Sequence, residues 1–209
     1  MTKKLSQREA AKLQRQTRIL KAARSLLNEG GLDLLSMKSL ADRADVSLMT
    51  LYNLIGSKHA VLRALLEEDA REAEERLSAD VPRSPVGALL AVVGEYTSFI
   101  RERPGYMRAI ITAVASIDED ESDWREPQRL WWMRLTEAGK ASGELRADLD
   151  SETFVLCLQD AIPGLLLAWA RGEIDLETFD RRCRYLFTLM LLGAAQGPVA
   201  EQLCAGLKR

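Results

Sequence analysis

Apolar side chains recur every three or four residues along most of the chain, and no stretch alternates with period two over the length of a strand. Over residues 6–28, Leu13, Leu20, Ala23 and Leu27 keep the helical spacing while Arg and Lys take the other faces, and Gly30-Gly31 supplies a stop. Ser36 caps a short second helix through residue 43, with Leu40 and Ala41 turned inward. Ala44-Asp45-Val46 makes a tight turn, and Ser47 caps a third helix through residue 54. Ser57 opens a long fourth helix through residue 77, whose EEDAREAEER segment reads as a solvated face. Residues 82–85 break the pattern, and Ser84-Pro85 begins a helix to about residue 103. Further helices are predicted over about 104–116, 126–142, 151–171 and 176–195, with the acidic IDEDESD segment between two of them. The expected fold is all-α, with about nine helices.

Charge divides the chain where the pattern does not. Residues 1–62 hold 11 Lys and Arg against 5 acids, a net +6, and the remainder is −8. A basic first third facing a polyanion accounts for that split. Two short helices joined by a tight turn, the second capped by Ser47, match a helix-turn-helix whose second helix enters the major groove of DNA. In that arrangement Leu51 points toward helix 1, and Thr50 and Tyr52 flank it with hydroxyls free for phosphate or a base edge. Gly56 ends the recognition helix, and Ser57-Lys58 offers free amides and an ammonium to one phosphate.

The segment SMKSLADRADVSLMTLYNLIGSKHAVL resembles the DNA-binding signature of the TetR (tetracycline repressor-like) family, written around T-V-R-x-I-A and then A-G-V-S-x-G-T-L-Y-x-Y-F-x-S-K-x-x-L. The resemblance implies a three-helix DNA-binding domain over 1–62, with helix 4 continuing as a connector to about residue 80. It also implies a divergent helical ligand-binding and dimerisation domain over 81–209, and repression of a palindromic operator relieved by a ligand. Carried over by position, the DNA-contacting set is Ser36, Met37, Lys38, Ser47, Leu48, Met49, Thr50, Tyr52, Asn53 and Lys58. Asp45 replaces the usual turn glycine, which Asp tolerates in a left-handed conformation. Met49 stands at another glycine, and Leu54-Ile55 replaces an aromatic pair. With Leu48 and Met49 opening the recognition helix, base reading leans on apolar contacts such as thymine methyls. A helical small-molecule binder or adaptor with weak or lost DNA binding is the alternative reading.

The acidic two thirds carries the second expected role. The FVLCLQDAIPGLLLAWA and YLFTLMLLGAA stretches are apolar nearly all round, so each must bury more than one face. Packing both against a second copy in a four-helix interface does so, and places Ala161, Gly164, Leu165, Ala168, Leu186, Met190 and Gly193 in a homodimer. An effector pocket for a hydrophobic or amphipathic small molecule is expected around Tyr96, Phe99, Met107, Ile111, Trp131 and Gln159. Trp131 shares a helical stripe with Gln128, Leu135 and Ala138, so that face is expected to turn inward. Pro163 is expected to bend its helix.

Catalytic residues are not expected: the one histidine, His59, falls inside the DNA-binding segment, and no P-loop, dinucleotide fingerprint or metal-binding motif occurs. Cys157, Cys183 and Cys204 are widely spaced and odd in number, so free thiols are expected, with neither metal nor cofactor. The N-terminus is too polar for a secretory signal, and the apolar runs 161–170 and 186–195 are about half the ~20 residues of a membrane span, so no membrane association and a cytoplasmic location are expected.

Overall fold

The computed structural model describes residues 6–79, 84–115 and 126–207. The acidic segment 117–123 and the first half of the expected break at 82–85 lie outside them. The described residues form the helices α1 (Gln7–Leu34), α2 (Met37–Arg43), α3 (Leu48–Leu54), α4 (Lys58–Ala79), α5 (Pro85–Glu102), α6 (Pro104–Val114), α7 (Glu126–Ser142), α8 (Ser151–Ala161), α9 (Pro163–Ala170), α10 (Leu176–Ala194) and α11 (Gly197–Leu207). Extended pairing among them is limited to one bridge, Leu145 with Ala195. The fold is all-α, and it gathers into two compact units.

The first unit comprises α1, α2, α3, the start of α4, and α6. A capping box opens α1: the Ser6 hydroxyl accepts from the Glu9 amide while the Glu9 carboxylate accepts from the Ser6 amide at 2.8 Å. Gly30 and Gly31 leave helical geometry, Gly31 at φ 67°, yet a further turn resumes to Leu34 instead of ending there. Ile19, Ala23 and Leu27 from α1, Leu40 from α2, Leu51 from α3, and Val61 and Leu65 from α4 are all fully buried. Arg43 ties α2 to α1 through paired bonds to the Glu29 carboxylate at 2.7 and 2.8 Å. α6 lies along α1, although it follows α5 in sequence. Gly105 permits that approach, since a Cβ there would lie 3.0 Å from the Asn28 carbonyl oxygen. The compact units are therefore not two consecutive segments.

The second unit holds the rest of α4, α5 and α7 to α11. Pro163 splits the expected helix 151–171 into α8 and α9, because a prolyl nitrogen has no hydrogen to continue the ladder. α11 was not predicted; its Gly197-Pro198 start reads as a chain break in the sequence. Taken together, Ser151–Ala170 is long and apolar enough by composition to cross a membrane, beyond the half-length the sequence suggests. The break at Pro163 and the charges Glu152 and Asp160 within it disfavour that use.

On α7 the inward face is not the one expected. Trp132, Thr136 and Gly139 are buried, whereas Ala138, on the Trp131 stripe, is exposed and Trp131 itself is half-buried. Adjacent tryptophans make the phase ambiguous in sequence. Close packing resolves it: a Cβ on Gly139 would lie 2.8 Å from Leu145 Cδ1, so that face must be turned against Leu145.

Candidate nucleic-acid interface

The helix-turn-helix is built by its caps. The Ser36 hydroxyl accepts from the Ser39 amide and the Ser39 hydroxyl accepts from the Ser36 amide, both at 3.0 Å, fixing the start of α2. Asp45 takes φ 51° in the turn, the single left-handed non-glycine among the described residues, and its carbonyl accepts from Arg18 at 3.1 Å. Ser47 caps α3 by accepting from the Thr50 amide at 3.1 Å. Leu51 is then driven fully into the core, and the rest of α3 is oriented by that one anchor.

What the anchor turns outward is apolar and aromatic. Met49 is 69% exposed, Tyr52 49% and Leu48 44%, with Ser47 and Asn53 also exposed. Single exposed apolar residues need no explanation, but three on a two-turn helix form a patch that packing within this unit does not use. Lys38 and Ser36 are exposed at the start of α2 and Met37 is half-buried. Two of the expected contacts are partly engaged inside the unit. The Thr50 hydroxyl lies 2.8 Å from that of Ser47, and the Lys58 ammonium donates to the Leu32 carbonyl at 3.3 Å. An ammonium has three donors, so Lys58 keeps two for another acceptor.

The electrostatics show which cations are already used. Arg18 is held by the Asp45 carbonyl, Arg24 stacks 5.3 Å from the Tyr106 ring centroid, and Arg43 grips Glu29. Hydrogen bonds from Arg43, then from Ser25, lower the Glu29 carboxyl to about 2. Arg8, Lys12, Arg15, Lys21 and Lys38 make no hydrogen bond or ion pair among the described residues.

In the second unit, Tyr96 and Gln159 come together as expected residues, through one the effector set omitted. Gln128 donates to the Tyr96 hydroxyl at 2.7 Å, and Gln159 donates to Gln128 Oε1 at 3.5 Å. Burial pushes the Tyr96 phenol up to about 12. Trp132, fully buried and edge-on to Phe187 at 6.0 Å, has no hydrogen-bond partner for its indole N–H among the described residues. Phe99 is buried beneath Arg76, whose guanidinium lies 4.7 Å from its ring centroid. Met107 is buried and Ile111 half-buried on α6, which belongs to the first unit, whereas Tyr96 and Gln159 belong to the second.

The expected dimer residues lie on the apolar helices α8 to α10. Gly164 and Gly193 are exposed, Ala161, Leu165, Ala168, Leu186 and Met190 half-buried. Leu156, Tyr185 and Leu189, omitted from the sequence-based set, are 43%, 56% and 42% exposed. The i, i+4, i+8 spacing of Tyr185, Leu189 and Gly193 is a signal that was present in the sequence.

Two short capped helices around a buried Leu51, with an unburied face on the second, define a helix-turn-helix DNA-binding unit. Residues 19–65 match the family described as bacterial regulatory proteins, tetR family. The chain is 31% identical over 190 residues to the HTH-type transcriptional repressor KstR of Mycolicibacterium smegmatis, which spans 90% of this chain and 92% of that protein. It is 30% identical over 142 residues to YdeS, an uncharacterised HTH-type transcriptional regulator of Bacillus subtilis, over 66% of this chain and 70% of that protein. A TetR transcriptional regulator from a Rhodococcus species shares the fold at a TM-score of 0.71 and 20% identity, covering 87% of this chain and 97% of that one. The chain belongs to the tetR family and is a DNA-binding transcriptional regulator.

Proposed function

We propose that the protein is a cytoplasmic, homodimeric, one-component repressor, released from a palindromic operator by a hydrophobic or amphipathic small molecule. The observation that carries the DNA-reading half is the exposed face of α3. Leu51 is fully buried, so Leu48, Met49 and Tyr52 are held outward on a capped helix. Leu48 and Met49 read thymine methyls, Tyr52, Asn53 and Thr50 hold the backbone, and Ser36, Met37, Lys38, Ser47 and Lys58 position the two helix N-termini on phosphates. The name of the Mycolicibacterium relative supports repression as the sign of regulation.

Dimerisation rests on the exposed Leu156, Tyr185 and Leu189 and on Gly164 and Gly193, at each of which a Cβ would meet nothing within 4 Å. An open glycine on an apolar face gives a second helix room to approach. The effector site is the interior of the second unit, where Tyr96, Gln128 and Gln159 form a polar chain and Trp132 brings a buried N–H. A ligand that binds the DNA-incompetent form more tightly shifts the population away from the operator; equal affinity for both forms would shift nothing. Selection of duplexes from a randomised library by the purified protein tests the reading. A palindromic consensus recovered by the wild type and lost with Met49→Glu supports it, and retention of no sequence above background favours the adaptor alternative.

A further inference from the structure

The structure assigns the first three turns of α1 a role of their own: we infer that Arg8, Lys12 and Arg15 form a second clamp on the DNA phosphate backbone, outside the helix-turn-helix. The matched family segment begins at residue 19, so this stretch lies beyond it. α1 starts at Gln7, yet its first buried residue is Ile19. A helical overhang of that length buries almost nothing, and Glu9 is its single acid, already bonded to Ser6.

Helical register gives the overhang a direction. Residues 8, 12, 15, 19, 22 and 26 fall on one stripe, and Ile19, Ala22 and Leu26 on that stripe are 0%, 7% and 4% exposed. The three cations therefore continue the face of α1 that is buried further along. That face lies over the recognition helix. Gln16, on one flank of the stripe, donates to the Leu54 carbonyl at the end of α3, and Arg18, on the other flank, donates to the Asp45 carbonyl just before α3. At 1.5 Å per residue, Arg15, Lys12 and Arg8 project about 6, 10 and 16 Å along the helix axis past Ile19, a reach comparable to the ~12 Å width of a major groove.

Occupancy by DNA follows from charge and from the attachment of α1 to both ends of α3. Like charges at i, i+4 repel along a helix, so the row Arg8 to Lys12 disfavours the free protein slightly and is relieved by a polyanion. None of the three is used internally among the described residues, unlike Arg18, Arg24, Arg43 and Lys58. The stripe runs out from the stretch of α1 that is bonded to both ends of α3, and the inference rests on α3 binding DNA.

The test needs no operator, because phosphate contacts are sequence-independent. Anisotropy titrations of the full chain use a mixed-sequence duplex of about three helical turns, with salt varied from about 50 to about 200 mM. The variant Arg8→Gln/Lys12→Gln/Arg15→Gln keeps helix propensity nearly constant. Arg146→Gln/Arg181→Gln/Arg182→Gln, exposed residues of the second unit, removes the same charge elsewhere. The overhang variant should flatten the slope of log K against log salt by about 2.7 per bound protomer, and the control by well under 1. An unchanged slope, or equal loss in both variants, overturns the clamp while leaving the helix-turn-helix intact. A wild type that binds no duplex at low salt overturns both.

Discussion

Replacing Leu189 measures the proposed dimer directly. Leu189 is 42% exposed in the single chain, and full burial of a leucine side chain stabilises by about 1.5–3 kcal/mol. Burying the remaining fraction is then worth roughly 0.6–1.3 kcal/mol per protomer, and two-fold symmetry counts each residue twice. Leu189→Ala, which keeps one methyl group, should weaken self-association by about 1–2 kcal/mol, or ~5- to ~30-fold. Leu189→Glu adds two carboxylates to a closely packed apolar surface, at a desolvation cost of several kcal/mol each, and should leave monomers at micromolar concentration. Sedimentation equilibrium over a concentration series reads both effects, and far-UV circular dichroism checks that the monomer stays helical. Operator affinity should fall in parallel, because a half-site bound alone loses its linked partner. A wild type that is monomeric at tens of micromolar, or a Leu189→Glu protein that remains dimeric, would refute the assignment of this face.

Lys58→Met should flatten the salt dependence of DNA binding by about one unit per half-site if the two donors not engaged by Leu32 reach phosphate; an unchanged slope confines Lys58 to tying α4 to Leu32. Gly105→Val puts branched carbon against the Asn28 carbonyl, 3.0 Å from the Cβ position, and should cost about 1–3 kcal/mol in denaturant unfolding. No loss of stability would show that α6 can shift off α1 freely. Glu29 has its carboxyl lowered from 4.5 to about 2, so its stabilising effect is complete above pH 4.5 and is lost as pH falls toward 2. Glu29→Gln should accordingly flatten stability against pH in that window alone, and a variant curve parallel to the wild type there would remove the Arg43 pairing as its cause.

The caps were the most legible part of the fold, because each is decided within four residues. Ser36, Ser47 and Ser57 all accept from the backbone amide three positions on, at 3.0, 3.1 and 3.2 Å. The Asp45 turn was readable for the same reason, since the tight spacing leaves one residue to take positive φ. Where a boundary depends on a distant partner, local pattern fails. Gly30-Gly31 looked like an end, but Leu35 donates back to the Leu32 carbonyl at 3.2 Å and another turn follows. The joining of α6 to the first unit was equally hidden, as its apolar face of Tyr106, Met107 and Ile110 fits any core until α1 supplies one.

The sites follow the same division between local and long-range information. On α3 one buried residue sets the phase, so the outward set Leu48, Met49, Tyr52 and Asn53 could be read from Leu51 alone. In α7 two tryptophans compete for the inward position, and a stripe drawn through Trp131 is about 100° from one drawn through Trp132. Hydrophobicity cannot separate them. What does is Gly139, seven residues on from Trp132, whose missing side chain admits Leu145. Gln128, which joins Tyr96 to Gln159, lies three residues before Trp131 and four before Trp132 and so flanks both stripes. The polar residue was therefore legible from either aromatic, while choosing between the tryptophans requires first finding the glycine that fixes the phase.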